Sequence, residues 1–498
     1  MNNRFFLTLV FPSFLACSLI GCVVGPDYAG PPQVPINSSF ARAGDSFDQN
    51  PSYSGEIQWW SSLNDPALDR LVQRALEESP DIAVVKARVR QARASLRGEE
   101  ADLLPSADAS LAAAHVHLPT KHGGGLDATD ASSASSAGAG SLPSSINLFN
   151  AGFDASWELD LFGGQRRAIE SAKATAEATD EHLVDAQLSL VAEVAQAYVN
   201  LRSTQARLGL SNRAIERQQQ QIALTSHSFE GGTASEVDVI RLENQLETTR
   251  SQTEPLVTQV ELYLNELAVL TGAAPGTLDA TLATPDNAIP PIPLPPASLT
   301  VTDPATLLRQ RPDIRAAERT LASRQAQIGQ ATAARFPSLS LFGIIGIGGT
   351  HGHDLTHLDD FTAVAAPRLN WNVLDFGRVS ANIQQAESAR DEAEAQYQST
   401  VLSALRDAED SLARFSQGRV SVATLARNKK QADRAATLMT LRQQGGTATL
   451  IDVLDTERQQ LTAEQNLAQA EGSLTNNFIA LHKALGIGLV KSIEYVQH

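Results

Sequence analysis

The chain has 498 residues, with 39 Lys or Arg and 56 Asp or Glu, so its formal net charge is 39 − 56 = −17. An acidic balance of this size argues against nucleic acid as a partner. Beyond residue 21 there is no run of 18 apolar residues, which excludes a transmembrane helix from the rest of the sequence.

The first 21 residues have the form of a secretory signal peptide, because an apolar run follows a short segment that carries one charge, Arg4. The run ends in LIGC, which resembles the lipobox of bacterial lipoproteins. The resemblance implies cleavage before Cys22 and acylation of its thiol, and Val23 in place of Asp favours export to the outer membrane. A lipidated segment over residues 22–64 follows. The alternative is an ordinary signal peptide with a chance cysteine.

Cleavage would also remove Cys17, so that Cys22 would be the only remaining cysteine of the two in the sequence. No intrachain disulfide and no cysteine-based metal site are then expected.

The rest of the chain repeats itself. The stretch GGTASEVDVIRLENQ, from Gly231, recurs as GGTATLIDVLDTERQ from Gly445, an offset of 445 − 231 = 214. Pro105 and Pro337 are 337 − 105 = 232 apart, so the first half carries 232 − 214 = 18 more residues, within a loop rich in Ser, Ala and Gly.

Two repeats over 65–272 and 304–486 override the usual estimate of several domains. A linker with seven prolines, 273–303, joins them and is expected to hold neither a helix nor a central strand. Residues 487–498 form a C-terminal tail.

Each repeat has the same predicted order of a short helix, two strands, a very long helix, a tight turn and a return helix. The strands are expected near 105–161 and near 337–375. Between 150 and 161 apolar residues occupy every odd position, the period of a strand with one apolar face. Strands of this kind suit a membrane β-barrel, and a soluble sandwich is the alternative.

The long helices are predicted over 165–230 and 378–444, where Pro is absent and helix-forming residues dominate. At 1.5 Å per residue each would be ~100 Å long, which no compact domain accommodates. The return helices are predicted over 235–270, interrupted by a kink at Pro255, and over 449–485.

The turns between long and return helices carry the candidate site. Gly231 and Gly445 are expected to end the long helices with positive φ. Ser235 and Thr449 can cap the return helices, with Asp238 and Asp452 in the capping-box position three residues later. Asp455 has no capping role, although it can pair with Arg458.

Enzyme and metal motifs are weak. GIIGIGG, from Gly343, lacks the Lys and Ser or Thr of a phosphate-binding loop. HGHDLTHLDD, from His351, could hold a metal but occupies a predicted hairpin tip, where a solvated loop is expected. No nucleophile and base have a spacing above chance, so we predict no enzyme activity, no metal and no cofactor.

Four strands cannot close a barrel within one chain, and two chains would give 2 × 4 = 8 strands while three would give 3 × 4 = 12. The residues alone leave that choice open.

The chain resembles the outer-membrane factor family of TolC- and OprM-like exit ducts, and in particular its lipoprotein branch. The motifs that carry the resemblance are the lipobox, WWSSLNDPALDRLVQRALEESPDI from Trp59, WELDLFGG, GGTATLIDVLD and ALG at Ala484. It implies a mostly α-helical homotrimer whose 12-stranded membrane β-barrel continues into a long periplasmic α-helical barrel. The implied function is the outer-membrane channel of a tripartite efflux pump, with a periplasmic adaptor and an inner-membrane pump of the resistance-nodulation-division type as partners.

The resemblance also assigns roles to the repeated turns. Asp238, Asp452 and Asp455 would ring the periplasmic gate, although Ala448 stands where TolC has a basic residue that helps to lock the closed state. The tips would contact the adaptor through Phe229, Gly231, Gly232, Ser235, Gly445, Gly446 and Thr449. Two alternatives remain: a type I protein-secretion duct, and a structural or adhesive lipoprotein with a coiled-coil stalk. The sequence does not name the cargo.

Overall fold

The computed structural model describes residues 23–42, 48–49, 58–117, 145–285, 288–297, 299–301, 303–356 and 361–487. The predicted lipid attachment site, Cys22, and all of the C-terminal tail except Ile487 lie outside these residues. The chain divides into two compact units. The first consists of Met1–Ala29, Arg93–Ala174 and Ala322–Asp391, and the second of Gly30–Ala92, Thr175–Leu321 and Glu392–His498.

Helices dominate the described residues, and two of them, α3 and α8, have 67 residues each. In chain order the helices are α1 Pro66–Glu78, α2 Pro80–Ala101, α3 Gly164–Glu230, α4 Glu236–Leu270, α5 Asp279–Leu282, α6 Pro304–Gln310, α7 Pro312–Ala333, α8 Arg378–Gln444 and α9 Leu450–Leu485. Short 3-10 helices cover Trp59–Leu63 and Gly352–Thr356. Among the described residues, none of these helices combines the length and the apolar composition needed to cross a membrane.

The predicted long helices begin and end within one residue of α3 and α8. α4 is one continuous helix that includes Pro255. One expectation is wrong: the linker holds the four-residue helix α5, because the segment 276–284 contains no proline and six of the seven prolines follow it. The two-residue strand of the linker pairs only with β1 in the described residues, and is not a central strand.

The strands form two sheets. In chain order they are β1 Asp48–Gln49, β2 Ser106–His117, β3 Ser145–Leu159, β4 Thr300–Val301, β5 Ser338–Gly349 and β6 Phe361–Asn370. β1 and β4 form a short parallel pair, and the other four form an antiparallel sheet in the order β2-β3-β5-β6. The last strand ends at Asn370, before the predicted limit near 375. Beyond it, Asp375 accepts hydrogen bonds from the backbone N–H groups of Gly377 and Val379 and so begins α8.

The register of the large sheet places all odd-numbered residues on one face. Phe153 lies opposite Ala109 of β2 and Ile345 of β5, and Ile345 lies opposite Ala363 of β6. Large apolar side chains on this face are exposed on all four strands: Leu111, Phe153, Trp157, Leu341, Ile345, Phe361 and Leu369.

The hydrophobic core of the second unit gathers around Trp59, whose side chain is fully buried. Its ring stacks on the imidazole of His482 at 5.4 Å and meets Phe478 edge-on at 6.0 Å. Glycines allow other segments of this unit to approach closely. A Cβ at Gly472 of α9 would lie 2.8 Å from the side chain of Ser203, and one at Gly209 of α3 would lie 2.6 Å from the carbonyl oxygen of Ala288 in the linker.

Candidate functional site

The candidate site consists of two turns in the second unit, which we call the first tip, residues 229–235, and the second tip, residues 443–449. At the first tip the N–H of Gly232 donates to the carbonyl of Phe229, and the N–H of Thr233 donates to that of Ser228. At the second tip Gly446 and Thr447 make the same pair of bonds, to Gln443 and Arg442. This pair of bonds defines a Schellman motif at the end of each long helix.

The structure corrects which glycine of each pair adopts the left-handed conformation. Gly232 and Gly446 have φ of 72°, whereas Gly231 and Gly445 do not have positive φ. The Schellman motif requires positive φ one residue after the C-cap, and Gly231 and Gly445 are the C-cap residues themselves. The sequence, with two adjacent glycines at each turn, could not distinguish them.

The return helices begin with the predicted capping boxes. Ser235 accepts a hydrogen bond from Val237 N–H at 3.2 Å, and its own N–H donates to Asp238 at 3.4 Å. Thr449 accepts from Asp452 N–H at 3.3 Å, and its N–H and hydroxyl donate to Asp452 at 2.9 and 2.7 Å. Asp238 and Asp452 therefore each satisfy a backbone donor at a helix start.

The hydrogen bond from the Thr449 hydroxyl, followed by that from its backbone N–H, lowers the pKa of Asp452 below its ordinary value. This direction is opposite to the rise in pKa that a nearby like charge causes. The bonds described for Asp238 stay at the start of α4, and those described for Asp452 stay at the start of α9.

Asp455 lies one helical turn beyond Asp452, and it has no part in the cap. It is exposed, and its carboxylate lies 3.5 Å from Nη2 of Arg458, which is also exposed. An ion pair between two solvated side chains contributes little to stability. The ion pair with Arg458 is therefore a weak structural reason for an acidic residue at position 455. The gate role of Asp455 stays a prediction.

Large apolar side chains at and beside the two tips are exposed to solvent. Phe229 lies beside the first turn, Val237 and Ile240 lie on the first two turns of α4, and Leu441 and Ile451 flank the second turn. Clusters of exposed apolar residues rimmed by polar ones are typical of protein contact surfaces.

Hydrogen bonds behind the tips, which the sequence analysis missed, tie α9 to both long helices. Gln221 of α3 donates to Glu457 of α9 at 3.0 Å, and Gln460 of α9 donates to Asp433 of α8 at 3.0 Å. The carboxylate of Asp433 also forms an ion pair with Lys429, with 2.7 Å between Oδ2 and Nζ. The glutamine run before Gln221 was the available signal, but nothing in the sequence identified its partners.

The His-rich loop gives no support to a metal site. The rings of His351 and His353 are 5.3 Å apart, and residues 357–360 of the predicted motif lie outside the described part of the chain. Within the described part, no group of three or more His, Cys, Asp or Glu side chains is placed to hold a metal.

Comparison with known proteins identifies the class. A model of the family "Outer membrane efflux protein" matches residues 71–273 and 304–487, and the chain belongs to this family. The family and its named relatives are outer-membrane channels and not enzymes, which confirms the predicted recognition and the predicted lack of enzyme activity.

Relatives of nearly the same length share about a third of their residues with this chain. "Nodulation protein T" of Rhizobium leguminosarum bv. trifolii is 30% identical over 475 residues, which cover 95% of this chain and 96% of the relative. "Toluene efflux pump outer membrane protein TtgF" of Pseudomonas putida is 30% identical over 488 residues, 95% of each chain. The solved structure of the outer-membrane channel OprN is 32% identical, with a TM-score of 0.81 over 94% of this chain and 100% of the other.

Proposed function

We propose that this chain is the outer-membrane exit duct of a tripartite efflux pump and carries small molecules from the periplasm to the outside. The observation that supports this most strongly is the exposed apolar face of the sheet, which runs across four strands of 10 to 15 residues. Strands of that length with one apolar face suit a lipid bilayer. A coiled-coil stalk has no use for such a face.

The proposed assembly is a homotrimer with a barrel of 3 × 4 = 12 strands, because the edges β2 and β6 need partners that a second copy can supply. Aromatic and apolar side chains next to the strand ends support this assembly. Phe162, after β3, stacks on Phe336 at 4.6 Å between ring centroids. The equivalent residues by the repeat are Phe376 and Leu104, and they are 98% and 66% exposed. In a trimer, Phe376 of one chain would pack against Leu104 of the next.

Paired cysteines test this contact. Phe376→Cys with Leu104→Cys is expected to give disulfide-linked dimers and trimers on a non-reducing gel. The matched control is Phe162→Cys with Phe336→Cys, which is expected to link within one chain and leave the monomer mass unchanged. Absence of linked species from the first pair, with formation of the control disulfide, would contradict the proposed interface.

The two tips are the proposed docking sites for a periplasmic adaptor, which in turn engages an inner-membrane pump of the resistance-nodulation-division type. The exposed apolar side chains at Phe229, Ile240 and Leu441 support this role. The carboxylates Asp238, Asp452 and Asp455 of three chains are the proposed gate, 3 × 3 = 9 in number. Repelling like charges in a narrow ring favour cations over anions.

Acylation of Cys22 is the proposed lipid anchor. Cys22→Ser is expected to abolish labelling by palmitate, whereas the trimer persists because the barrel holds the membrane. Palmitate labelling of Cys22→Ser would show that the lipid attachment site has been misassigned.

Efflux itself is tested by loss of the chain in its own host. Cells without it are expected to accumulate a fluorescent efflux dye several-fold over cells in which the wild-type chain is restored. Unchanged dye accumulation together with loss of an exported protein from the medium would favour a type I secretion duct instead.

A further inference from the structure

The segment that directly follows Cys22 is bound to the first unit by one buried arginine. Arg167, on the first turn of α3, has a side chain that is only 5% exposed. Its Nε donates to the carbonyl of Val24 at 3.2 Å, and its Nη2 donates to the carbonyl of Gly25 at 3.1 Å and to Asp27 at 2.6 Å. Nη1 donates to Glu170 at 2.7 Å, which fixes the guanidinium from the other side.

The backbone of the junction between β3 and α3 adds a further bond, because the N–H of Val24 donates to the carbonyl of Phe162 at 3.1 Å. We call residues 23–27 the strap. Hydrogen bonds therefore run in both directions between the strap and the segment where β3 passes into α3. The strap takes part through its backbone at Val24 and Gly25 and through the side chain of Asp27.

Three glycines make room for the strap. A Cβ at Gly163 would lie 2.8 Å from Val23, and a Cβ at Gly329 of α7 would lie 2.8 Å from the side chain of Arg167. A Cβ at Gly25 would collide with the backbone of Gly329. Real Cβ atoms do not approach neighbours this closely, so each glycine is needed where the strap, α3 and α7 meet.

We call the three residues that receive the strap, Gly163, Arg167 and Gly329, the seat. The equivalent junction of the second repeat lacks it. Ala381 stands in place of Arg167, and Arg97 stands in place of Gly329. Gly377 stands in place of Gly163, and a Cβ there would meet nothing within 4 Å. The seat is therefore not a requirement of the strand-to-helix turn, which forms in both repeats.

We propose that Arg167 is a positioning residue that holds the strap, so that Val23 is fixed beside Gly163 where β3 passes into α3. Cys22 directly precedes Val23 in the sequence, so a lipid on Cys22 would be attached next to a residue that Arg167 and Gly163 hold in place. This consequence rests on the acylation of Cys22 proposed above, whereas the seat itself does not.

Proteolysis of the full chain in detergent tests the seat. Proteinase K cleavage between residues 23 and 29 is followed by intact mass, a readout that does not require the lipid. Arg167→Gln removes the charge-assisted bonds, and we expect cleavage about tenfold faster than in wild type. Arg166→Gln is the matched control, because the described hydrogen bonds of Arg166 are made to Asp160.

Asp27→Asn is a second variant, and it leaves the buried Arg167 unchanged. The substitution is at a surface position, because the side chain of Asp27 is 90% exposed. We expect cleavage about two- to threefold faster than in wild type, because the two carbonyl contacts remain. Equal cleavage rates for wild type, Asp27→Asn and Arg167→Gln would overturn the proposal, as would equal acceleration by Arg166→Gln. Absence of palmitate from the wild-type chain would instead reject the lipid attachment and leave the seat in place.

Discussion

The return helices α4 and α9 have 35 and 36 residues and differ in the side chains they carry at equivalent positions. Each begins with a capping box, and each is followed by a glycine with positive φ, Gly272 at 71° and Gly486 at 68°. Both glycines are packed tightly, Gly272 against Glu78 and Gly486 against Arg311, at the residues that end α1 and precede α7. The fold therefore requires the cap and the terminal glycine in both helices.

At two other positions the equivalent residues of α4 and α9 differ. Asp455 of α9 corresponds to Arg241 of α4, and His482 of α9 corresponds to Ala268 of α4. A helix of nearly the same length, with the same cap and the same terminal glycine, is thus built with either charge at the first position, and with or without an imidazole at the second. The reason for an acidic residue at position 455, and for an imidazole at position 482, must therefore lie outside the cap and the terminal glycine.

The largest expected effect follows from His482. Burial lowers its pKa from 6.5 to about 4, and Nδ1 lies 3.0 Å from the carbonyl oxygen of Phe478. Below pH 6.5 the unfolded chain takes up a proton that the folded chain refuses until about pH 4. Stability therefore falls as the pH drops through this window, by about 3 kcal/mol per chain at its lower end.

Thermal unfolding of the helical circular dichroism signal at pH 7 and pH 4.5 measures this loss. His482→Phe keeps a ring against Trp59 and is expected to remove most of the difference between the two pH values. Ala268→His would place the imidazole at the equivalent position of α4, which is also buried, and is expected to increase acid sensitivity. An unchanged acid response in His482→Phe would show that other groups cause it.

The second expected effect separates the two glycines of each tip. At Gly232 and Gly446 a Cβ meets nothing within 4 Å, so alanine is penalised only by the positive φ, by about 1 kcal/mol per site. At Gly231 a Cβ would be 3.4 Å from the carbonyl oxygen of His227, in ordinary contact. The pair Gly232→Ala and Gly446→Ala should therefore lose stability and efflux.

The pair Gly231→Ala and Gly445→Ala is the control, and it should retain both. Unfolding temperature, the amount of trimer and dye efflux provide the comparison. Greater damage from the control pair would mean that the left-handed residue of each turn has been misassigned.

The sequence was informative where the signal is local. Absence of Pro and a helix-forming composition set the limits of α3 and α8 within one residue, and a period of two located β3. The capping boxes followed from Ser235 and Thr449 for the same reason. Arg167 could not be found in this way, because its partners at Val24 and Gly25 are about 140 residues away in the chain and are backbone atoms, which have no sequence signature.

A smaller effect is expected from the two caps. Thr449→Ala and Ser235→Ala should each lower the free energy of unfolding by about 1 kcal/mol. The loss should be larger at Thr449, because its hydroxyl both donates to Asp452 at 2.7 Å and accepts from the N–H of Asp452 at 3.3 Å, whereas the hydroxyl of Ser235 accepts from the N–H of Val237 at 3.2 Å. Urea unfolding of the two variants side by side provides the check, and an equal or reversed order would contradict the geometry.

The most direct test of the account is the ion selectivity of the purified channel in planar bilayers. The wild type should show a small, cation-selective conductance that multivalent cations block from the side of the tips. Asp452→Asn with Asp455→Asn should weaken both the block and the selectivity, since a side-chain amide at position 452 can still accept the hydrogen bonds of Thr449 and preserve the cap. Asp391→Asn with Asp407→Asn removes the same charge from exposed sites on α8 and should change neither. If the variant Asp452→Asn with Asp455→Asn is blocked as tightly and is as selective as the wild type, these two carboxylates do not form the gate.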